Sequence, residues 1–260
     1  MYFDVKKFEL LLVFLPVKDI FGPRQDFMQV RFVPSFMDKK ALTAEVVGTF
    51  ALCFGGILSI HNSGAANMGG SLLIPALAHG LILAIFITAF AAISGGHLNP
   101  AVTTAMIISK RIKPAAGIAY IVAQVFGGAL AGVAVMACGL GKDVVLSGTP
   151  IPADGVTMVS AIIAEAICTF FLVLTFVTTA VDKRAPKMGG LFIGLSVTIS
   201  ILAIGPLTGG AMNPARWLGP ALVTMDHLAN ATIYITGPIL GGIFAVLLYD
   251  NILASDQVAE

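Results

Sequence analysis

Long apolar runs, separated by short polar connections, dominate this chain. Six of the runs are long enough to cross a bilayer, because a spanning helix needs about 20 mainly apolar residues. They cover Ala41–Ile60, Leu72–Ile93, Pro114–Cys138, Val156–Val181, Met188–Gly205 and Ala231–Leu253. We therefore predict an all-α membrane protein with six transmembrane helices.

Two shorter apolar runs remain between these segments, and each begins at Asn-Pro-Ala. They cover Asn99–Ser109 and Asn213–Met225. At a rise of about 1.5 Å per residue, helices of this length cross about half of the hydrocarbon core. Non-helical backbone at that depth is tolerated only where protein covers it or where it lines a wet cavity. The two runs therefore predict re-entrant half-helices that line a pore.

The two Asn-Pro-Ala runs belong to an internal repeat. The segment Ala44–Phe54 (AEVVGTFALCF) matches Ala164–Leu174 (AEAICTFFLVL), and Gly-Gly-x-x-Asn-Pro-Ala follows in each half. Each half holds three spans, an odd number, so the halves must face opposite ways. We expect an inverted repeat, with repeat one at 37–139 and repeat two at 156–254, whose half-helices meet near the middle of the membrane.

Composition excludes several classes of protein. The chain is 57% hydrophobic and 11% charged, whereas soluble domains carry about 25% charged residues. A net charge of +1 gives no reason to expect a nucleic-acid partner. The cysteines lie in apolar runs at 53, 138 and 168, and we expect buried thiols. Because no nucleophile with a paired base, metal-ligand spacing or phosphate-binding loop is present, we expect no enzyme activity, no cofactor and no metal.

Basic residues indicate the orientation of the spans. They cluster before the first span and in the second and fourth connections, at Lys39, Lys40, Lys110, Arg111, Lys113, Lys183, Arg184 and Lys187. Since Lys and Arg concentrate on the cytoplasmic side, we expect both termini there.

Residues 1–36 precede the first span and fit the rest of the pattern poorly. Their apolar run, Phe8–Val17, is too short to cross a bilayer, and Met37 stands directly before a basic cluster and a span. We expect 1–36 to be an N-terminal extension, either disordered or interfacial, or a misassigned start. The channel domain is then expected at 37–254 and a C-terminal tail at 255–260.

The Asn-Pro-Ala motifs predict two helix starts at the centre of the protein. They consist of Asn99, Pro100, Ala101, Asn213, Pro214 and Ala215. Asn is a strong N-cap, and Pro suits the first helical position because its missing N–H would be unpaired there. The cap uses the side-chain oxygen, so we expect each NH₂ group to remain free to donate into the pore. A water molecule that accepts from both would point its hydrogens away, which opposes a proton wire.

These motifs, "SGGHLNPAVT" and "GGAMNPARWLGPAL", closely resemble those of the aquaporins, the major intrinsic protein family, and the resemblance covers Met37–Leu253. It implies six tilted helices plus two half-helices, assembled in the bilayer as a homotetramer with one pore per subunit. The family keeps buried acids where this chain has Glu45 and Glu165. We expect them to hold loop backbone by hydrogen bonds rather than to relay protons, and His97 to have a structural role.

The resemblance also implies a second, narrower constriction. Counting from the motifs, its four positions fall on His79, Ile201, Gly210 and Arg216. This set resembles plant tonoplast intrinsic proteins that pass ammonia as well as water, although the connection Gly139–Gly155 lacks the histidine that some of them carry. The implied partners are water, ammonia and urea, with protons and ions excluded. We expect the cell membrane as its location, or the vacuolar membrane in a plant-like cell.

Other functions remain open at this point. Glycerol channels of the family usually carry Asp directly after the motif arginine and water channels a small residue, whereas this chain has Trp217. A glycerol-type channel is therefore one alternative. A secondary transporter is another, since inverted repeats occur there too, and a structural tetramer with a closed pore is the third.

Overall fold

The computed structural model describes residues 38–64 and 71–254. The α-helices within these two ranges are α1 (Lys39–Ser63), α2 (Leu73–Phe90), α3 (Pro100–Ile108), α4 (Pro114–Ala137), α5 (Gly141–Ser147), α6 (Met158–Phe176), α7 (Gly189–Thr208), α8 (Pro214–Thr224) and α9 (Ala231–Leu248). A 3₁₀ turn at Leu228–Asn230 leads into α9, and π-helical turns at Val177–Val181 and Tyr249–Leu253 extend α6 and α9. The extension predicted at 1–36 and the tail predicted at 255–260 lie outside the described residues.

Six helices in the described ranges are long and apolar enough to cross a membrane, which confirms the predicted number. They are α1, α2, α4, α6, α7 and α9. Helices α6 and α9 are counted here together with the short 3₁₀ and π-helical turns that adjoin them. Helix α7 runs through Pro206 to Thr208, beyond its predicted end at Gly205. Pro206 has no backbone N–H to donate, so the helix lacks one hydrogen bond in its last turn and still continues to Thr208.

The spanning helices pack in close pairs, with α6 against α9, α2 against α7 and α1 against α4. Small residues make this approach possible. A methyl group on Gly237 of α9 would come within 2.8 Å of the carbonyl oxygen of Ile162 in α6. In a membrane, where lipid offers no hydrophobic drive between helices, such small contacts let backbones approach and pack.

The molecule has two opposite sides, which we name for use below. On the terminal side, the start of α1 and the end of α2 line one groove that includes Lys39 and Ile93. Arg111, which follows α3, donates to Asp250 on that side at 2.6 and 3.0 Å. On the far side, the ends of α1 and α7 line one cavity together with the connection from α5 to α6.

Helices α3 and α8 are the two half-helices that the sequence predicts, with 9 and 11 residues. Their predicted starts are confirmed, because Asn99 and Asn213 are the N-cap residues and Pro follows each at the first helical position. Helix α3 packs mainly on α9, and helix α8 packs mainly on α4. Each half-helix is therefore held mainly by a spanning helix of the other half.

The far side shows one feature that the sequence did not predict, and it corrects one expectation. The connection Gly139–Gly155 contains a short helix, α5, because Val144 and Val145 bury their side chains in a cluster with Ile57 and Val135. Cys138 is exposed rather than buried. It is the C-cap residue of α4 and thus lies beyond the packed part of that helix.

Candidate functional site

The tips of the two half-helices meet and bond to each other. The side-chain oxygen of Asn99 accepts from the backbone N–H of Ala101 at 2.8 Å, and that of Asn213 accepts from Ala215 at 3.0 Å. Nδ2 of Asn99 donates to the carbonyl oxygen of Met212 at 2.9 Å, and Nδ2 of Asn213 donates to that of Leu98 at 2.8 Å. The expectation of free NH₂ groups therefore needs correction, since one hydrogen of each group joins the halves and one remains for the pore.

The residue before each Asn has an unusual backbone conformation. Leu98 has a φ of 50° and Met212 a φ of 51°. Bulky residues rarely occupy this left-handed region, which costs on the order of 1–3 kcal/mol and persists only where the surroundings enforce it. It turns the carbonyl groups of both residues toward the opposite Asn, so the surrounding contacts must hold this shape.

Glu45 supplies those contacts in the first half. Its carboxylate is fully buried and accepts from the backbone N–H groups of His97 at 3.0 Å and Leu98 at 2.7 Å. It also accepts from the hydroxyl of Ser94 at 2.6 Å and from Nε2 of Gln124 at 2.7 Å. Four donors thus fix one carboxylate and, through it, the turn that leads into α3.

Glu165 has the same place in the second half. It accepts from the backbone N–H groups of Ala211 at 2.9 Å and Met212 at 2.6 Å, and from the hydroxyl of Thr208 at 2.7 Å. The two halves therefore use one design, with a buried carboxylate from α1 or α6 that binds the loop before the half-helix.

The ring of His97 packs between aromatic rings of the two halves. It lies edge-on to Tyr120 and to Phe176, with ring centroids 5.3 and 5.9 Å apart. Its Nδ1 lies 3.1 Å from Oγ1 of Thr103. These contacts fit the structural role expected for this residue.

The four positions of the expected narrow constriction converge near the Asn pair. Nδ1 of His79 donates to the carbonyl oxygen of Pro75 at 2.7 Å, so Nε2 is free to accept, and Nε of Arg216 donates to it at 3.3 Å. Gly210 has a φ of 60° and presents no side chain. A methyl group there would lie 3.4 Å from Cα of Ile201, so these two residues pack against each other and add no polar side-chain group.

One small cavity connects this constriction with the Asn pair. It has a volume of about 20 Å³, and its lining includes both motif Asn residues and all four constriction residues, His79, Ile201, Gly210 and Arg216. A volume of that size holds about one water molecule. Within the described part of the chain, Nη1 of Arg216 is buried and has no hydrogen-bond partner. A molecule in the cavity therefore meets amide and guanidinium N–H donors together with apolar surface.

Sequence reasoning missed the apolar wall of this cavity. It comes from Leu52, Leu83, Leu172 and Val197. The internal repeat could have found them, because Leu52 and Leu172 each follow a buried glutamate by seven residues, and Leu83 and Val197 each precede a motif Asn by sixteen.

A wider cavity lies above the constriction on the far side. Its volume is about 570 Å³, and His79, Ile201 and Arg216 form its floor. The connection from α5 to α6 forms much of its wall, with Asp154 as the acidic member of the lining. The small cavity and this vestibule thus lie next to each other and share these three residues.

Comparison with known proteins gives a consistent result. The family model described as Major intrinsic protein matches residues 33–249. The chain is 35% identical over 256 residues to aquaporin TIP2-2 of Zea mays, across 94% of this chain and 98% of that relative. It is 38% identical over 225 residues to the probable aquaporin TIP2-1 of Oryza sativa subsp. japonica, across 82% of this chain and 87% of that relative.

A solved structure shares the fold. The X-ray structure of the aquaglyceroporin from Plasmodium falciparum matches with a TM-score of 0.76 and 22% sequence identity, covering 85% of this chain and 98% of that chain. At this level of identity, the likeness concerns the arrangement of the helices and not the solute.

Proposed function

Since the chain belongs to the major intrinsic protein family, we propose that it is a passive channel that conducts water, ammonia and urea and excludes protons and ions. It is an integral, multi-pass membrane protein, and the substrate set is the part proposed here. One observation carries the proposal: both motif Asn residues and all four constriction residues line a single cavity of about 20 Å³.

Proton exclusion follows from the donors at the centre of this cavity. Each motif Asn keeps one N–H for a molecule in the pore, as its other N–H bonds to the opposite loop. A water molecule that accepts there turns its own hydrogens outward, and this interrupts a proton wire. The N-termini of α3 and α8 add about half a positive charge each, which disfavours cations.

The constriction supports passage of small neutral solutes beyond water. Gly210 and Ile201 give an apolar wall without a bulky polar group, and His79 and Arg216 give a polar wall. Ammonia and urea each have a hydrogen-bond acceptor for the free guanidinium N–H. Ammonia is about the size of water, and urea is the largest of the three proposed solutes. The buried charge of Arg216 repels ammonium and other cations.

Orientation, assembly and domain organisation are part of the same proposal. The terminal-side connections contain Lys110, Arg111, Lys183, Arg184 and Lys187. Since Lys and Arg concentrate on the cytoplasmic side, they support a cytoplasmic location of that side and of both termini. The channel domain is 37–254, and four copies form a tetramer with one pore each. The relatives called TIP aquaporins favour a vacuolar membrane over the cell membrane.

Stopped-flow light scattering on proteoliposomes tests the proposed solutes directly. Water, ammonia and urea are expected to cross faster than through protein-free vesicles of the same lipid, with no dependence on a proton or sodium gradient. Glycerol flux well above that of urea would instead favour the glycerol-type alternative. Water flux equal to that of bare lipid would overturn the proposal.

A further inference from the structure

We propose that Trp217 is a positioning residue whose indole N–H holds the far-side connection against the constriction and thereby limits the size of the solutes that pass. The inference rests on the proposed channel function. It concerns a residue for which neither the motif pattern nor the pore lining gives a role, since Trp217 is absent from both cavity walls.

Trp217 is fully buried directly after Arg216 in the first turn of α8. Its ring stacks on Tyr234 of α9 with centroids 5.2 Å apart and planes 22° apart. The hydroxyl of Tyr234 in turn donates to the carbonyl oxygen of Thr208 at 2.7 Å. Trp217 therefore has a rigid setting, and a buried indole in such a setting needs a partner for its N–H.

The partner of that N–H is the connection from α5 to α6. Nε1 of Trp217 donates to the carbonyl oxygen of Pro150 at 3.1 Å. Pro150 packs on Gly209 so closely that a methyl group on Gly209 would lie 2.9 Å from Cα of Pro150. Gly209 immediately precedes Gly210, so the connection presses on the backbone that forms one wall of the constriction.

A second hydrogen bond holds the same connection farther along. The backbone N–H of Ala153 donates to the carbonyl oxygen of Leu207 at 2.9 Å. The segment between the two anchors forms part of the vestibule wall above Arg216. The indole bond is thus one of two fixed points that set the position of this wall.

The first half of the molecule shows what the same position does without an indole. The residue four places after Asn99 is Thr103, and the residue four places after Asn213 is Trp217. Oγ1 of Thr103 accepts from Nε2 of Gln124 at 2.9 Å, a contact inside the half. Trp217 instead donates to the connection from α5 to α6, which lies outside its own half, and this contact is next to the polar constriction.

A looser wall favours large solutes over small ones. Water already fits the cavity, so extra fluctuation changes its flux little, whereas urea passes only when the constriction is at its widest. Loss of one neutral hydrogen bond changes an equilibrium by about two- to tenfold. We expect the ratio of urea to water permeability to rise by about that factor when the indole N–H is removed.

Trp217 is the only tryptophan in the chain, so a single atom can be changed by biosynthetic replacement of tryptophan. Protein made with benzothienylalanine has a sulfur in place of the indole N–H and keeps the ring. Protein made with 5-fluorotryptophan keeps the N–H and is the matched control, and Trp217→Phe is the genetic counterpart. Urea and water permeabilities are measured in vesicles of identical composition and divided to cancel differences in the number of folded channels.

A two- to tenfold higher urea-to-water ratio in the sulfur analogue and in Trp217→Phe, with an unchanged ratio in the fluorinated control, is the expected result. A ratio unchanged in all three overturns the role of Trp217 while water flux remains above bare lipid. Water flux at the bare-lipid level in the unmodified protein overturns the channel function itself.

Hydrogen exchange of the single indole N–H in the unmodified protein gives a readout that needs no variant. The ¹⁵N-labelled indole has one resonance, and a held connection predicts slow exchange with solvent. Exchange at the rate of a free indole overturns the proposal, even where the analogue proteins fail to fold.

Discussion

Arg216 and His79 together determine the charge at the narrowest point of the proposed pore. The guanidinium donates to an imidazole nitrogen that can only accept, because the other nitrogen already donates to Pro75. This contact fixes the guanidinium to one wall, and Nη1 remains for the solute. The motif spacing predicted that these two residues belong together, but it could not predict the hydrogen bond, since they are 137 positions apart.

Replacing both residues, by Arg216→Val with His79→Ala, removes the fixed cation and the polar wall. We expect urea and glycerol fluxes to rise and cations to leak by at least about tenfold, since a few kcal/mol of repulsion is lost at the constriction. Solute-specific swelling and a pH-sensitive dye inside the vesicles measure both effects. Arg184→Val, which removes a cation on the terminal side, is the control, and an unchanged solute cut-off in the double variant would contradict the assignment.

Gly56 provides the space that His79 needs. A methyl group at Gly56 would overlap Nε2 of His79 and lie 2.8 Å from its Cε1. Gly56→Ala is therefore expected to push the imidazole off Arg216 and toward the cavity, to lower water permeability about two- to tenfold and to cost about 1–3 kcal/mol of stability. At the neighbouring Gly55, a methyl group meets the terminal Cδ1 of Ile82, which can rotate away, so Gly55→Ala is the matched control. Equal water permeability in the two variants would show that the position of His79 does not matter.

The re-entrant loops are the elements on which the site depends. Each places two glycines and one left-handed bulky residue ahead of a half-helix, and each donates backbone hydrogen bonds to one buried carboxylate. The repeat made both loops predictable in place and in approximate length. Their exact shape was not predictable, because Leu98 and Met212 adopt a conformation that their own side chains disfavour. Distant residues stabilise it, namely the buried glutamates and the Asn side chain of the opposite half.

Glu165→Gln tests whether the carboxylate supports its loop. An amide group has one oxygen, so it cannot accept from Thr208, Ala211 and Met212 at once, and at least one buried N–H loses its partner. We expect a loss of about 1–3 kcal/mol in stability, seen as a lower apparent melting temperature of the purified protein. Asp143→Asn, an exposed acid in α5, is the control. If melting is unchanged in Glu165→Gln and proton flux alone responds, the glutamate relays protons instead.

In the protein as a whole, the arginine–aspartate ion pairs found among the described residues lie at the terminal side. Arg111 binds Asp250 with two hydrogen bonds, and its guanidinium lies 5.5 Å from the centre of the Tyr249 ring. Arg184 binds Asp182 at 2.7 Å and also reaches the carbonyl oxygen of Leu253. These contacts tie the connections after α3 and α6 to the end of α9.

The Asp182 contact predicts a definite pH dependence. The Arg184 guanidinium holds the pKa of the Asp182 carboxyl at about 2, below its ordinary value of 3.8. Because the folded pKa is the lower one, the stabilisation is fully present above about pH 4 and is lost as the pH falls toward 2. Asp182→Asn is therefore expected to lower the melting temperature slightly and by a constant amount from pH 8 to 5, because Arg184 is half exposed and screened. The difference from the unmodified protein should then shrink between pH 4 and 2, and a difference that grows in this range would contradict the prediction.

Long, locally determined features were predictable from the sequence, and contacts between distant residues were not. The spans and the starts of α3 and α8 follow from hydrophobic length, Asn and Pro, which act on their own neighbourhoods. The crossed bonds between Asn99 and Met212, the bond from Trp217 to Pro150 and the ion pair of Arg111 with Asp250 join residues 67 to 139 positions apart. Nothing in the local pattern selects one such partner over another.

The crossed amide bonds also bear on how the protein is made. The first motif leaves the ribosome well before the second, and until then the side chain of Asn99 and the carbonyl of Leu98 lack their partners at a depth where lipid offers none. Each half thus supplies the hydrogen-bond partner that the other half lacks. A fragment that ends before α6 is expected to be short-lived in the membrane, and co-expression of the remaining fragment is expected to rescue it.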